Sequence, residues 1–379
     1  MSRLVISARI KRKKLALAWL ELRNASPLYS PMWTMANLGL LHAVGRLEID
    51  DTPTRIVRRD MSRRFSYQDC IKFFRFTREQ IATMMNLLGV PDAIRTDCGY
   101  VVSGREAFCL LLYRLAFPKR LTDMRVLFGV AESCICEAFN YMLHFMDVTW
   151  VGVLSLDMDR LVPRLGDFAE ALHSWGSPLD NCWGFIDGTV RGIARQVPNK
   201  MCWKQRAFYN GHKRKHAMKF QGVVTPDGIC VDLHGPELGA RHDLHLLSES
   251  GLLERLEDNM NDASGDAYCL YGDPAYGMSA HICCPYSESH GPLTEDMLHF
   301  NKSMSGCRIT VEWLFKEMTS KWAFVTHKPQ QKYLLSPVAV QYRMATLLYN
   351  MHSCLNGTNQ ISQFFGVSPP SLKEYLGVV

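Results

Sequence analysis

Four acidic residues stand in settings that could bring their carboxylates to one spot. Asp187 lies in Phe185-Ile186-Asp187-Gly188-Thr189 and Asp273 in Leu270-Tyr271-Gly272-Asp273-Pro274-Ala275-Tyr276. Each closes an apolar run and precedes Gly or Pro, as where a chain leaves a sheet. Asp243, in Gly239-Ala240-Arg241-His242-Asp243, sits at a strand-to-helix junction, and Glu312 lies in a helix whose Val311, Leu314 and Phe315 give it a buried side. A single Asp at a strand end is more often a turn or a helix cap than a catalytic group, so the argument rests on the four together. Collected in an apolar setting, four carboxylates repel one another and raise their own pKa values. A hard divalent cation relieves that repulsion and prefers oxygen ligands. Two such cations about 4 Å apart serve phosphodiester cleavage and strand transfer, so metal-assisted phosphodiester chemistry is expected, with Asp187, Asp243, Asp273 and Glu312 as metal ligands.

Basic groups accompany these acids. Lys213, Arg214, Lys215 and Lys219 border a predicted hairpin, where they either neutralise DNA phosphates or form a solvated strand face. Arg308 precedes Glu312 by four residues, one helical turn, placing it to orient the carboxylate or to meet a phosphate. His242 and His245 are read as packing or capping residues rather than ligands. Trp203 and Tyr209 have the faces to stack on a base, but a core role is favoured.

The elements that must position the acids begin at residue 181. Ser177-Pro178 and Asp180 break the chain, and apolar periodicity changes from about 3.6 to 2. Strands are expected over 182–190, 216–225 and 228–235, the last two joined by the turn Thr225-Pro226-Asp227-Gly228. A helix over 243–256, a short strand over 267–271 and helices over 308–322 and 337–351 follow. These describe an α/β fold, a mixed sheet covered by helices.

Residues 62–176 read as an all-α domain. Thr77-Arg78-Glu79-Gln80 and Ser103-Gly104-Arg105-Glu106 have the form of capping boxes. The second opens an apolar helix over 107–117, stopped by Pro118. Next come a short helix, a turn near Phe128-Gly129-Val130, and a helix with Ile135, Phe139, Met142 and Met146 on one face, a helix-turn-helix outline. Its second helix would expose Ser133, Glu137 and Asn140 and carries no Arg or Lys to read guanine. A plain packing unit fits equally well, and Lys119 and Arg120 are the better phosphate contacts. Residues 1–61 carry the basic runs Arg9-Ile10-Lys11-Arg12-Lys13-Lys14 and Arg55, Arg58, Arg59, with Arg63 and Arg64 just beyond. Such runs are a nuclear-import signal, a phosphate-contacting arm or a solvated terminus. Residues 355–379 read as a tail with a short helix.

Composition is that of a globular protein: 379 residues, 47% hydrophobic and 21% charged, with a formal charge of +6 that permits a nucleic-acid partner without requiring one. Thirteen cysteines, an odd total without regular spacing, argue against a disulfide framework. Cys134-x-Cys136 and Cys283-Cys284 lack zinc-site spacing. No apolar run approaches the length of a membrane helix, and no signal-peptide core is evident, so an intracellular protein is expected.

From about residue 181 to 354 the chain resembles the DDE nuclease domain of the PIF/Harbinger transposases and the Harbinger-derived nucleases. The resemblance is carried by the motifs around Asp187, Asp243, Asp273 and Glu312 and by Tyr209-Asn210-Gly211-His212-Lys213-Arg214-Lys215-His216, in family order. With Arg75-Phe76-Thr77 and the turn at Gly129, it covers about 65–376. It implies an RNase H-like fold, a catalytic triad of Asp187, Asp273 and Glu312 with Asp243 as a further ligand, and Mg²⁺ or Mn²⁺. The implied activity is cleavage of DNA at transposon terminal repeats, with strand joining as an option, in the nucleus and with a Myb/SANT-like partner; a homodimer is an open option that the sequence does not decide. A domesticated, catalytically silent DNA-binding or adaptor protein is the alternative. Two departures stand out: Val190 replaces the family's His after Gly-Thr, and Pro274-Ala275 precede Tyr276 where a small residue and Gly are usual.

Overall fold

The computed structural model describes residues 56–57, 65–195, 205–261, 264–333 and 335–378. The basic runs before residue 65 and Trp203 lie outside them. All elements below belong to one compact unit, Ile56–Thr96 with Val101–Val379.

The helical segment contains α1 (Tyr67–Phe74), α2 (Arg78–Leu87), α3 (Gly104–Ala116), α4 (Leu121–Phe128), α5 (Glu132–Trp150), α6 (Met158–Leu161) and α7 (Leu165–Ser174). A small sheet of β1 (Ile56–Val57), β2 (Ala93–Arg95) and β3 (Val101–Ser103) precedes α3. Thr77 and Gln80 close a full capping box at the start of α2. At Ser103 only the hydroxyl half forms, because Glu106 is drawn into the core as α3 buries nearly its whole circumference. Pro118 follows the end of α3 as expected. Gly129 adopts the left-handed conformation that ends α4, and the chain turns through 96° into the helix after it. The face of α5 formed by Ile135, Phe139, Met142 and Met146 is buried.

The main sheet comprises β4 (Cys182–Gly192), β5 (Tyr209–Asn210), β6 (Lys215–Val224), β7 (Cys230–Leu238), β8 (Cys269–Tyr271) and β9 (Ile282–Cys283). β4 runs antiparallel to β6 and parallel to β8. β5 and β7 continue the sheet beyond β6, and β9 beyond β8. The hairpin turn at 225–228 forms as read, with Gly228 at φ +73°. Helices α8 (Asp243–Ser250), α9 (Leu252–Asn259), α10 (Glu295–Lys321), α11 (Val338–Asn356), α12 (Gln360–Phe365) and α13 (Leu372–Leu376) complete the fold.

Several features differ from the sequence reading: β2 and β3 stand within the segment read as all-α, and α11 runs on to Asn356. β4 extends five residues past Asp187, because β6 pairs with it as far as Gly192. The helix expected over 243–256 breaks at Gly251, which adopts a left-handed conformation. The helix carrying Glu312 starts at Glu295, capped by the Thr294 hydroxyl; its first turns are mostly polar and solvent-facing and so lack an apolar period.

The helical segment and the sheet share contacts. Arg343 on α11 forms a two-pronged ion pair with Asp147 on α5, at 2.8 and 2.7 Å. The Arg114 guanidinium of α3 lies over the rings of Phe139 and Phe324. No single helix among the described residues is long and apolar enough to cross a membrane.

Candidate active site

β4 is the central strand, and Cys182, Trp183, Gly184, Phe185 and Ile186 are buried between covering layers. Parallel pairing sets Phe185 opposite Tyr271 on β8. Asp187 and Asp273 each lie two residues beyond that pair, so the period of two directs both carboxylates to the same face of adjacent strands. The sequence spacing could not show this alignment, which depends on register. Asp273 also accepts from the Ala275 amide at 3.0 Å and caps the short turn Pro274–Tyr276.

Helix α10 crosses this face. It approaches closely at Gly222, the β6 partner of Asp187, where an added Cβ would stand 2.9 Å from Phe315 Cζ. That packing carries Arg308 onto both acids. Its Nη2 donates to Asp187 Oδ1 at 2.9 Å and lies 3.7 Å from Asp273 Oδ2. Glu312, one helical turn on, is exposed and acts electrostatically on Asp187 and Arg308. Burial raises the Asp187 pKa; Arg308 lowers it, Glu312 and Asp273 push it up again, and the net shift is upward. Burial works against the Arg308 charge, and Asp187, Asp273 and Glu312 outweigh it.

Asp243 reaches β4 from the other side. Its Oδ1 lies 2.7 Å from where a Gly188 Cβ would stand, and Gly188 and Asp187 look to opposite faces. The same oxygen accepts from Lys219 Nζ at 2.8 Å. Lys219, expected among the phosphate-contacting residues, is therefore buried and engaged with a carboxylate. Tyr276 was missed as a site residue. Its buried hydroxyl has no hydrogen-bond partner among the described residues, and its pKa is pushed far up by burial and then by Asp243, Asp187 and Asp273. Only its place three residues after Asp273 could have signalled it.

The remaining expected residues are spread more widely. Lys213 and Arg214 are exposed, and Lys215 is half-buried with Nζ 3.4 Å from the Val190 carbonyl. Lys119 and Arg120 are exposed before α4. His242 occupies the position before α8 without a side-chain cap bond. Tyr209, expected in the core, is exposed and packs edge-on to His216.

The donor set suits a hard divalent cation in kind. Asp187, Asp273 and Glu312 offer oxygens, and burial, only partly offset by Arg308, raises the Asp187 pKa. In spacing the site is closed over Arg308: among the described residues no three such side chains are near enough to share an ion.

Residues 186–350 match the family model described as DDE superfamily endonuclease, a span that begins one residue before Asp187 and includes all four acids. This segment is similar to the DDE superfamily endonucleases. No curated protein and no solved structure matches the chain. The match runs from Ile186 within β4 through β9 and α10 to Asn350 within α11.

Proposed function

We propose that the protein is a divalent-metal-dependent DNA endonuclease or transposase of DDE type, with an RNase H-like fold and of the PIF/Harbinger branch. The observation that carries this reading is the convergence of Asp187 and Asp273, from parallel strands, on the single guanidinium of Arg308. The strand arrangement supports the fold, since the antiparallel β4, β6 and β7 followed by the parallel β8 and β9 place both acids on neighbouring strands.

Asp187, Asp273 and Glu312 would hold Mg²⁺ or Mn²⁺, with Asp243 as the further carboxylate. The metal supplies activation of the attacking oxygen and stabilisation of the leaving one. The residues do the rest. Arg308 offsets the repulsion between the Asp187 and Asp273 carboxylates and, once turned from them, presents a fork of donors to a phosphate. Lys219 holds Asp243 against Gly188. Lys213, Arg214, Lys215, Lys119 and Arg120 supply positive charge for the DNA backbone. Nuclear residence and a Myb/SANT-like partner accompany this reading through the family resemblance alone.

A catalytically silent DNA-binding or adaptor protein is the second reading, and the closure of the acids over Arg308 favours it. The test is nicking of supercoiled DNA by the purified chain in Mn²⁺. Cleavage by the parent, lost at least about a hundredfold in Asp187→Ala with an unchanged thermal melt, supports the nuclease. DNA binding without cleavage in any divalent cation selects the silent protein.

A further inference from the structure

Five residues beyond Asp187 along β4, cations from three separate segments gather. Lys215 opens β6 and reaches across to the Val190 carbonyl, Nζ to O 3.4 Å. The stem of Lys328 lies flat over Gly192, with its Cε 2.8 Å and its Cγ and Cδ 3.6 Å from the point where a Cβ would stand. Its turn is fastened to the end of β4 by a bond from the Ala194 amide to the Gln331 carbonyl, 2.9 Å. Arg191, the neighbouring residue on β4, packs its guanidinium over the Phe315 and Tyr342 rings, 5.7 and 5.0 Å from their centres, and acts on Lys215 by charge. Lys213 is held nearby by a bond from its own amide to Asn210 Oδ1, 2.7 Å.

No carboxylate within ion-pair distance of any of these four is found among the described residues. Burial and repulsion from Lys328, Arg191 and Lys213 lower the Lys215 pKa. Four like charges brought together by fixed backbone contacts raise the local free energy unless an anion joins them. Lys213 and Lys328 are exposed, so the anion can be part of a large molecule.

We propose that Lys213, Lys215, Lys328 and Arg191 form a cradle for a backbone phosphate of duplex DNA, set apart from the acids by the length of β4. This rests on the DNA-endonuclease reading of the same domain. Five strand residues span about 16 Å, which at 3.4 Å per base pair is about five base pairs of duplex. The glycine at 192 has a reason in this arrangement, because any side chain there would lift Lys328 off the strand. The sequence could suggest Lys213 and Lys215 from their basic run, but Arg191 and Lys328 join them only through the fold.

The test is binding of a 30-base-pair fluorescent duplex, followed by anisotropy across a NaCl series in EDTA so that no metal chemistry takes part. Lys215→Ala and Lys328→Ala are each expected to weaken binding about three- to tenfold, and the double variant to lower the slope of log K against log salt by about 0.9 per lost phosphate contact. Lys328→Arg should restore most of the loss, and Lys72→Ala, an exposed lysine on α1, should change nothing. An unchanged slope in the folded double variant overturns the cradle. So does calorimetric binding of inorganic phosphate tighter than that of the duplex, which would mark a small-anion site. A parent that cuts DNA while the slope stays unchanged leaves the nuclease standing without the cradle. A slope that falls in a parent that never cuts does the reverse.

Discussion

Arg308 engages carboxylate oxygens of both Asp187 and Asp273, so a metal held by these acids would compete with the guanidinium for them. Replacing it with a neutral side chain removes the competitor and its repulsion. Arg308→Gln is therefore expected to tighten Mn²⁺ binding about tenfold in calorimetry without DNA, or about 1.4 kcal/mol. The same change strips the partly buried Asp187 of its partner and should lower stability in urea by about 2 kcal/mol when no metal is added. Weaker metal binding in this variant would show instead that Arg308 organises the acids for the ion. Tyr276 sits among the same charges, its buried hydroxyl without a hydrogen-bond partner among the described residues.

At the level of elements, the site depends on close approach at two glycines of adjacent strands. Gly222 admits Phe315, and with it α10; Gly188 admits Asp243. Gly188→Ala would drive a methyl against Asp243 Oδ1 and near the Tyr276 hydroxyl, and is expected to reduce Mn²⁺-dependent nicking more than tenfold, about 1.4 kcal/mol or more in barrier, while circular dichroism stays that of the parent. Retained activity would place Asp243 outside the chemistry. A second element contact reports on pH. His352 of α11 packs against Phe76, and burial, then Lys321 and Arg75, lower its pKa to about 4. The unfolded chain binds this proton up to the ordinary value of 6.5, so between about pH 4 and 6.5 it holds more protons than the native state. Stability then rises with pH across that window and is lost as pH falls through it. With partial exposure discounted, the effect should be about 2 kcal/mol, seen as a pH-dependent urea midpoint that flattens in His352→Gln. Element type was legible wherever apolar period and caps agreed, as in α2, α5, β4 and β6. The early start of α10 and the break at Gly251 were not, because polar, solvent-facing turns and a single left-handed residue leave no periodic trace. The four acids could be named from their flanks, but their partners could not. Lys219 with Asp243, and Arg308 with Asp273, depend on register and helix crossing.

Across the whole molecule, the hairpin turn read from Thr225-Pro226-Asp227-Gly228 proves to be a buried junction. Asp227, fully buried, accepts from Arg164 Nη1 at 2.7 Å, from the Thr225 hydroxyl at 2.5 Å and from the Ile229 amide at 3.2 Å. Its carbonyl takes a bond from Asn359 Nδ2 at 2.8 Å, and Arg164 reaches on to the Ser368 carbonyl. The turn thus ties together the start of α7, the β6–β7 hairpin and the chain after α11. Removing its carboxylate leaves a partly buried guanidinium and the turn's own donors unsatisfied at once. Asp227→Ala is expected to lower unfolding free energy by about 3 kcal/mol, read as a shifted urea midpoint with unchanged slope. Asp227 stands three residues past Val224, the end of the strand whose Gly222 pairs with Asp187, yet none of the turn's bonds reaches an acid of the site. Nicking per folded molecule should therefore stay within about twofold of the parent at a temperature where both are folded. A loss of nicking larger than the loss of folded protein would mean that the junction also sets the position of Asp187 through β6.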